Sequence, residues 1–180
     1  MRILLTGEIG IGKTSVCKKI VEEAKKNGFT CCGVLTHRLE DKGKTTGLVV
    51  EDVSTGEKKI LASRINDGKI SDGIFLCNFV FNREAIKFGE NALSKKGDLL
   101  VTDEFGKLEL EGKGFKNAVC AFKSRKNKNS ILVVRSELKT AVSARLGCNF
   151  KKIEVNKNNR GELHETIFNM FFKPKRCENR

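Results

Sequence analysis

Eight residues near the start of the chain, Gly7-Glu8-Ile9-Gly10-Ile11-Gly12-Lys13-Thr14, constrain the fold more than any other stretch. Just before them lies the short apolar run Ile3 to Thr6, which ends at glycine and reads as a buried strand. Just after them, apolar residues at Val16, Ile20, Val21 and Ala24 form the stripe of a helix over residues 13–27, and Asn27-Gly28 closes it. A glycine-rich turn between a strand and a helix can curl into a nest of inward-facing backbone N–H groups. The positive end of the helix dipole points into the same nest, and together they attract phosphate. The pattern G-x-x-x-x-G-K-[ST] is complete. Gly7, Glu8, Ile9, Gly10, Ile11, Gly12, Lys13, Thr14 and Ser15 are therefore the expected binding residues for a nucleoside triphosphate. Lys13 is expected to reach the β- and γ-phosphates, and the Thr14 hydroxyl to bind Mg²⁺.

Downstream, residues 29–35 read as a second strand. The runs 46–51 and 58–62 flank the turn cluster Ser54-Thr55-Gly56 and read as a β-hairpin. Residues 63–81 carry no clear period. Residues 83–93 read as a helix and 98–102 as a strand that ends at Asp103-Glu104. A helix is expected at 114–125, then a strand at 131–134, a helix at 137–146, a strand at 150–155 and a last helix at 161–172. Alternation of this kind implies an α/β fold, a mainly parallel sheet flanked by helices, here with an inserted β-hairpin. The chain has 180 residues, one proline and no internal repeat. A single domain is expected over 1–172, followed by a disordered basic tail at 173–180.

The segment Leu99-Leu100-Val101-Thr102-Asp103-Glu104 is an apolar strand that delivers two carboxylates to its carboxyl end. Ligands of open α/β sheets bind at that edge. Asp103 is expected to hold Mg²⁺, directly or through water. Glu104 is expected to orient, or take a proton from, a water aimed at the γ-phosphate, which suits hydrolysis. A guanine-specific reading competes with this one, because Asp103-Glu104-Phe105-Gly106 fits D-x-x-G and Asn156-Lys157-Asn158-Asn159 follows a strand as N-K-x-D would. Asn159, however, replaces the aspartate that would pair with guanine, and Lys107 stands where a water-orienting glutamine is common.

Charge and composition narrow the partners. The net charge is +13, but the lysines are spread along the chain and there is no Trp or Tyr to stack on bases. A nucleic-acid partner, or an RNA-associated NTPase, is an alternative and not the favoured reading. No window approaches the roughly 20 apolar residues of a membrane span. Seven cysteines, odd in number and without Cys-x-x-Cys spacing, argue against zinc and disulfides and for reduced thiols in the cytoplasm. A monomer is expected. A nucleotide or small-molecule kinase on the same scaffold is the other alternative; only residues 63–82 could supply its acceptor pocket. Arg135, Arg145 and Arg160 are candidates for charge stabilisation, with Arg135 read first as a surface residue. His37 and His164 read as isolated surface residues.

The phosphate loop, together with Asp103-Glu104-Phe105-Gly106-Lys107-Leu108-Glu109-Leu110, closely resembles the THEP1 nucleoside-triphosphatase family, whose second signature reads Asp-Glu-Ile-Gly-Lys-Met-Glu-Leu. Gly33-Val34-Leu35-Thr36, Thr46-Gly47-Leu48 and Asn159-Arg160 extend the match over most of the chain. The resemblance implies a P-loop fold with an added strand beside the nucleotide strand. It also implies Mg²⁺-dependent hydrolysis of ATP, GTP, CTP and UTP to diphosphate and phosphate. Asn159 and Arg160 would lie near the base or ribose. His37-Arg38 departs from the pattern, since relatives often carry two glutamates there. Glu109 matches the signature, without a role that its sequence position explains.

Overall fold

Why the sheet has a parallel half and an antiparallel half follows from which strands must be buried on both faces. The computed structural model describes residues 1–124 and 126–172; the tail at 173–180, expected to be disordered, lies outside them. Among the described residues five strands make parallel pairs: β1 (Arg2–Gly7), β2 (Cys31–Asp41) through its first half, β7 (Leu99–Phe105), β8 (Asn129–Arg135) and β9 (Lys151–Glu154). β1, β7 and β8 are near-continuous apolar runs, as strands covered on both faces must be. Alternate residues of one strand enter different cores. Ile3 and Leu5 pack with Ile20, Val101 and Phe168, beside α1 (Lys13–Lys26) and α6 (Leu163–Phe172). Leu4 packs with Leu93, Leu100, Phe122 and Val142. These residues bring α2 (Arg83–Ser94), α4 (Ala118–Lys123) and α5 (Lys139–Leu146) onto the opposite face. Each such side chain contributes about 2 kcal/mol by leaving water.

The antiparallel half comprises β3 (Lys44–Asp52), β4 (Lys58–Arg64), β5 (Gly73–Leu76) and β6 (Phe79–Asn82). All nine strands among the described residues share one sheet in the order β5-β6-β4-β3-β2-β7-β8-β1-β9. β8 lies between β1 and β7, the added strand that the resemblance implies. No helix among the described residues is long and apolar enough to cross a membrane.

Four elements differ from expectation. β2 starts two residues later than the 29–35 run and continues to Asp41, because its second half pairs antiparallel with β3 from Val34↔Asp52 to Asp41↔Lys44. Lys42 and Gly43 close that hairpin with positive φ values of 47° and 75°, matching the twist a two-residue turn requires. The polar run His37-Arg38-Leu39-Glu40-Asp41 conceals the strand, since antiparallel sheets tolerate a wet face. The expected 46–51/58–62 hairpin is present as β3–β4, but it is one part of a larger extension. Residues 63–81 hold a second hairpin, β5–β6, with strands of four residues, too short to show a period. Finally, the helix expected at 114–125 is trimmed to α4. The amides of Lys113 and Gly114 bond to the Leu108 carbonyl and that of Phe115 to the Glu109 side chain, which diverts this segment from helical pairing. The unexpected short helix α3 (Lys107–Leu110) supplies those acceptors.

Candidate active site

The phosphate loop leaves β1 at Gly7 and enters α1 through Gly12, whose φ of 108° only glycine adopts without strain. The first turn of α1 carries no acidic side chain, so its positive dipole end is not internally neutralised. Lys13 folds back across the loop, and its ammonium donates to the carbonyls of Gly7 at 2.7 Å and Glu8 at 2.6 Å. Burial pushes the Lys13 amine below its ordinary pKa, while the carboxylates of Glu104 and Asp103 pull it back up.

Asp103 sits at the carboxyl end of β7 and is 0% exposed. One carboxylate oxygen, Oδ2, accepts from the Thr36 amide at 3.2 Å. The other, Oδ1, is buried without a hydrogen-bond partner among the described residues. Gly33 makes the first contact possible: β2 approaches β7 so closely that a Cβ there would run into the Val101 carbonyl oxygen. Burial, followed by the Glu104 charge, raises the Asp103 carboxyl to about 7, against the opposing pull of the Thr14 side chain and the Thr36 amide. A buried anionic oxygen with no partner, beside a hydroxyl, fits a divalent cation. Mg²⁺ in particular takes one or two protein oxygens and completes its shell with phosphate and water. Among the described residues there is no cluster of three or more His, Cys, Asp or Glu that would make an all-protein cage.

Glu104 is reached through a bulge. β7 and β8 pair Thr102↔Leu132 and then Phe105↔Val134, so one extra residue sits on β7 between the two pairs. Glu104 takes a φ of 61°, uncommon for any residue but glycine and a recurrent mark of functional sites. Its Oε1 lies 3.7 Å from Arg38 and its Oε2 3.5 Å from Arg135. All three side chains are partly exposed, so each pair adds less than about 1 kcal/mol of stability; the arrangement orients the carboxylate more than it holds the fold.

Arg135 is therefore not the solitary surface residue that its sequence position implies. It ends β8 and faces the acidic pair. Arg38 was visible in sequence only as a departure from a family pattern. No local signal could have paired it with Glu104, 66 positions away. Arg145 instead donates to the Leu110 carbonyl at 3.0 Å, and Arg160 is exposed. His37 is not isolated: its Nε2 is 2.7 Å from Glu51 on β3.

Glu109 acquires a role. It is 7% exposed, accepts from the Gly106 amide at 2.8 Å and from the Phe115 amide at 3.2 Å, and so ties the segment after Glu104 to the start of α4. Burial raises its carboxyl above the ordinary range, partly offset by those amides. Asn159 spends both ends of its amide in the turn after β9, where Oδ1 accepts from the Asn156 amide and Nδ2 donates to the Glu154 carbonyl. The turn adjoins the phosphate loop, since a Cβ on Gly7 would lie 2.9 Å from the Val155 carbonyl oxygen.

Beside Glu104 opens a cavity of about 330 Å³. Its walls are mostly apolar, with Leu61, Phe81 and Phe115 among them, and they also include Arg38, Glu104 and Arg135.

Strand order and a phosphate loop at the carboxyl end of β1 make this an α/β protein of the P-loop nucleotide-binding class. Comparison with known proteins narrows the class. The family model described as NTPase matches residues 2–168. A nucleoside-triphosphatase THEP1 from Methanosarcina acetivorans is 30% identical over 177 residues, covering 96% of this chain and 98% of the relative. Another, from Methanocaldococcus jannaschii, is 34% identical over 122 residues, 66% of this chain and 69% of the relative. The crystal structure of THEP1 from the hyperthermophile Aquifex aeolicus superposes with a TM-score of 0.75 at 24% identity, covering 96% of this chain and all of that one, and so shares the fold. The chain belongs to the NTPase family, whose curated relatives are nucleoside-triphosphatases of the THEP1 type, and it is a hydrolase.

Proposed function

We propose that the chain is a Mg²⁺-dependent phosphohydrolase that converts a nucleoside triphosphate and water to the diphosphate and phosphate, with broad tolerance of ATP, GTP, CTP and UTP. One observation carries the reading: Glu104 stands in a left-handed backbone conformation between two arginines, next to a fully buried aspartate and near enough to Lys13 for its charge to act on that amine.

In this reading the backbone amides of residues 7–15 bind the phosphates, and Lys13 moves from its loop carbonyls to the β- and γ-oxygens. The Thr14 hydroxyl and Asp103 would hold Mg²⁺, which when bound would offset negative charge on the triphosphate. Glu104 orients the attacking water and accepts its proton. Arg38 and Arg135 keep that carboxylate in place and approach the charge that develops on the γ-phosphoryl group. An arginine placed this way is worth about 10³–10⁵ in rate. Asn159 and Arg160 border the base or ribose, and the missing aspartate at position 159 supports indifference to the base. Residues 1–172 act as one catalytic domain, supported by the single sheet with a core on each face. The chain works as a monomer in a reducing cytoplasm, a setting in keeping with the free thiols of Cys17, Cys31 and Cys32 in its interior.

The test is phosphate release from each of the four triphosphates, with Mg²⁺ or with EDTA, for wild type, Lys13→Ala and Glu104→Gln. Release from all four that needs Mg²⁺ and falls at least about 100-fold in both variants is expected. Negligible release without an added acceptor or RNA would sink the reading.

A further inference from the structure

Hydrolysis alone leaves the cavity beside Glu104 without a purpose. A water molecule needs a space of only ~30 Å³, and the cavity is about 330 Å³, within the range of small-molecule sites. Nor is it a packing defect deep in the core. It lies between two separately built walls: the β3–β4 and β5–β6 hairpins on one side, α3 and Phe115 on the other. Leu48, Leu61, Leu76 and Phe79 make the first wall apolar. Glu109, buried and bonded to the amides of Gly106 and Phe115, fixes the second.

The polar groups of the cavity restrict what can occupy it. Arg38 and Arg135 already face the Glu104 carboxylate, and the other cation on the lining, Lys107, is exposed to solvent, so the cavity offers a second anion no buried, uncommitted partner. A hydroxyl that donates to Glu104 needs no such partner, and the rest of the occupant must match apolar walls. We infer that the cavity is a phosphoryl-acceptor site for a small alcohol with an apolar body, and that the protein transfers the γ-phosphoryl group to it as well as to water. This rests on the reading of Glu104 as proton acceptor given above. In the step, the alcohol oxygen forms a bond to the γ-phosphorus, and the bond from that phosphorus to the β–γ bridging oxygen breaks. The nucleoside diphosphate leaves with the electron pair. The hydroxyl proton passes to Glu104 and then to solvent, and the products are a phosphate monoester and the diphosphate.

The experiment follows ATP carrying a radiolabelled γ-phosphoryl group, with Mg²⁺ and one of three probes: benzyl alcohol, cyclohexylmethanol or hexanol. The labelled products, monoester and inorganic phosphate, are separated and their ratio is measured against alcohol concentration. Labelled monoester that saturates with at least one probe is expected. In Leu76→Trp, which fills the cavity, and in Thr45→Trp, a partly exposed wall position that tolerates bulk if the first variant does not fold, the ester-to-phosphate ratio should fall about tenfold or more. Phosphate release with no monoester from any probe overturns the inference and leaves the hydrolase reading intact. A ratio unchanged in both tryptophan variants overturns it too, since transfer would then bypass the cavity. Monoester without phosphate release keeps the acceptor site and removes the hydrolase; neither product removes both.

Discussion

Replacing Asp103 with asparagine, in protein stripped of divalent cations and nucleotide, tests whether the buried carboxylate is truly uncompensated by the fold. Asparagine is nearly isosteric. Its oxygen can keep the bond from the Thr36 amide, and its NH₂ group takes the place of Oδ1, which has no partner. The carboxyl titrates at 3.8 in the unfolded chain and at about 7 in the fold. A raised acid pKa means that the native state favours the proton, so the associated stability is fully present below 3.8 and is lost as the pH rises through about 7. At pH near 8 the wild type should therefore be less stable than Asp103→Asn by up to about 4 kcal/mol, or roughly 10 °C in Tm for a domain of this size. Near pH 4 the two proteins should melt together. Thermal unfolding followed by circular dichroism in EDTA across that range gives the comparison. Added Mg²⁺ and nucleotide should then raise the Tm of the wild type and leave the variant behind, since only a state that binds the ligand is stabilised by mass action. If Asp103→Asn melts at or below the wild type at pH 8 in EDTA, the carboxylate is satisfied by the protein, and the case for a cation site at Oδ1 collapses.

Two further outcomes follow from the same geometry. Glu104→Gly and Glu104→Ala both remove the carboxylate and should both lose hydrolysis at least about 100-fold, but the glycine variant should be more stable in urea by about 1 kcal/mol, because only alanine keeps a Cβ at φ 61°. Equal stabilities would show that the left-handed conformation is not a constraint on this position. Glu109→Gln can accept from only one of the Gly106 and Phe115 amides, so urea unfolding near pH 7 should show a loss of about 1–3 kcal/mol; a neutral result would remove Glu109 from its positioning role.

Local sequence determined a good deal of this protein. The order Ile3–Leu5, glycine loop, helical stripe admits one local structure, because burial forces the strand, positive φ demands glycine at position 12, and the 3.6-residue period sets the helix. The apolar run into Asp103-Glu104 likewise announced a buried strand with carboxylates at its end. Short-range chemistry fixes such features, so they are legible in one dimension. Tertiary structure decided the rest. The strands of residues 73–76 and 79–82 are too short to carry a period and exist because β4 offers them a partner. The outer half of β2 is polar and gains its strand state from pairing with β3. Arg38, Glu104 and Arg135 meet because β2, β7 and β8 are neighbours in the sheet, and the bulge that turns Glu104 toward both arginines arises from a register slip between β7 and β8. The cavity beside them, enclosed by hairpins and a helix far apart in the chain, has no counterpart in any sequence window. The loop end of the site is written locally because consecutive residues of one strand–helix turn build it. The end around Glu104 is written nowhere locally, because side chains from three strands must converge before it exists.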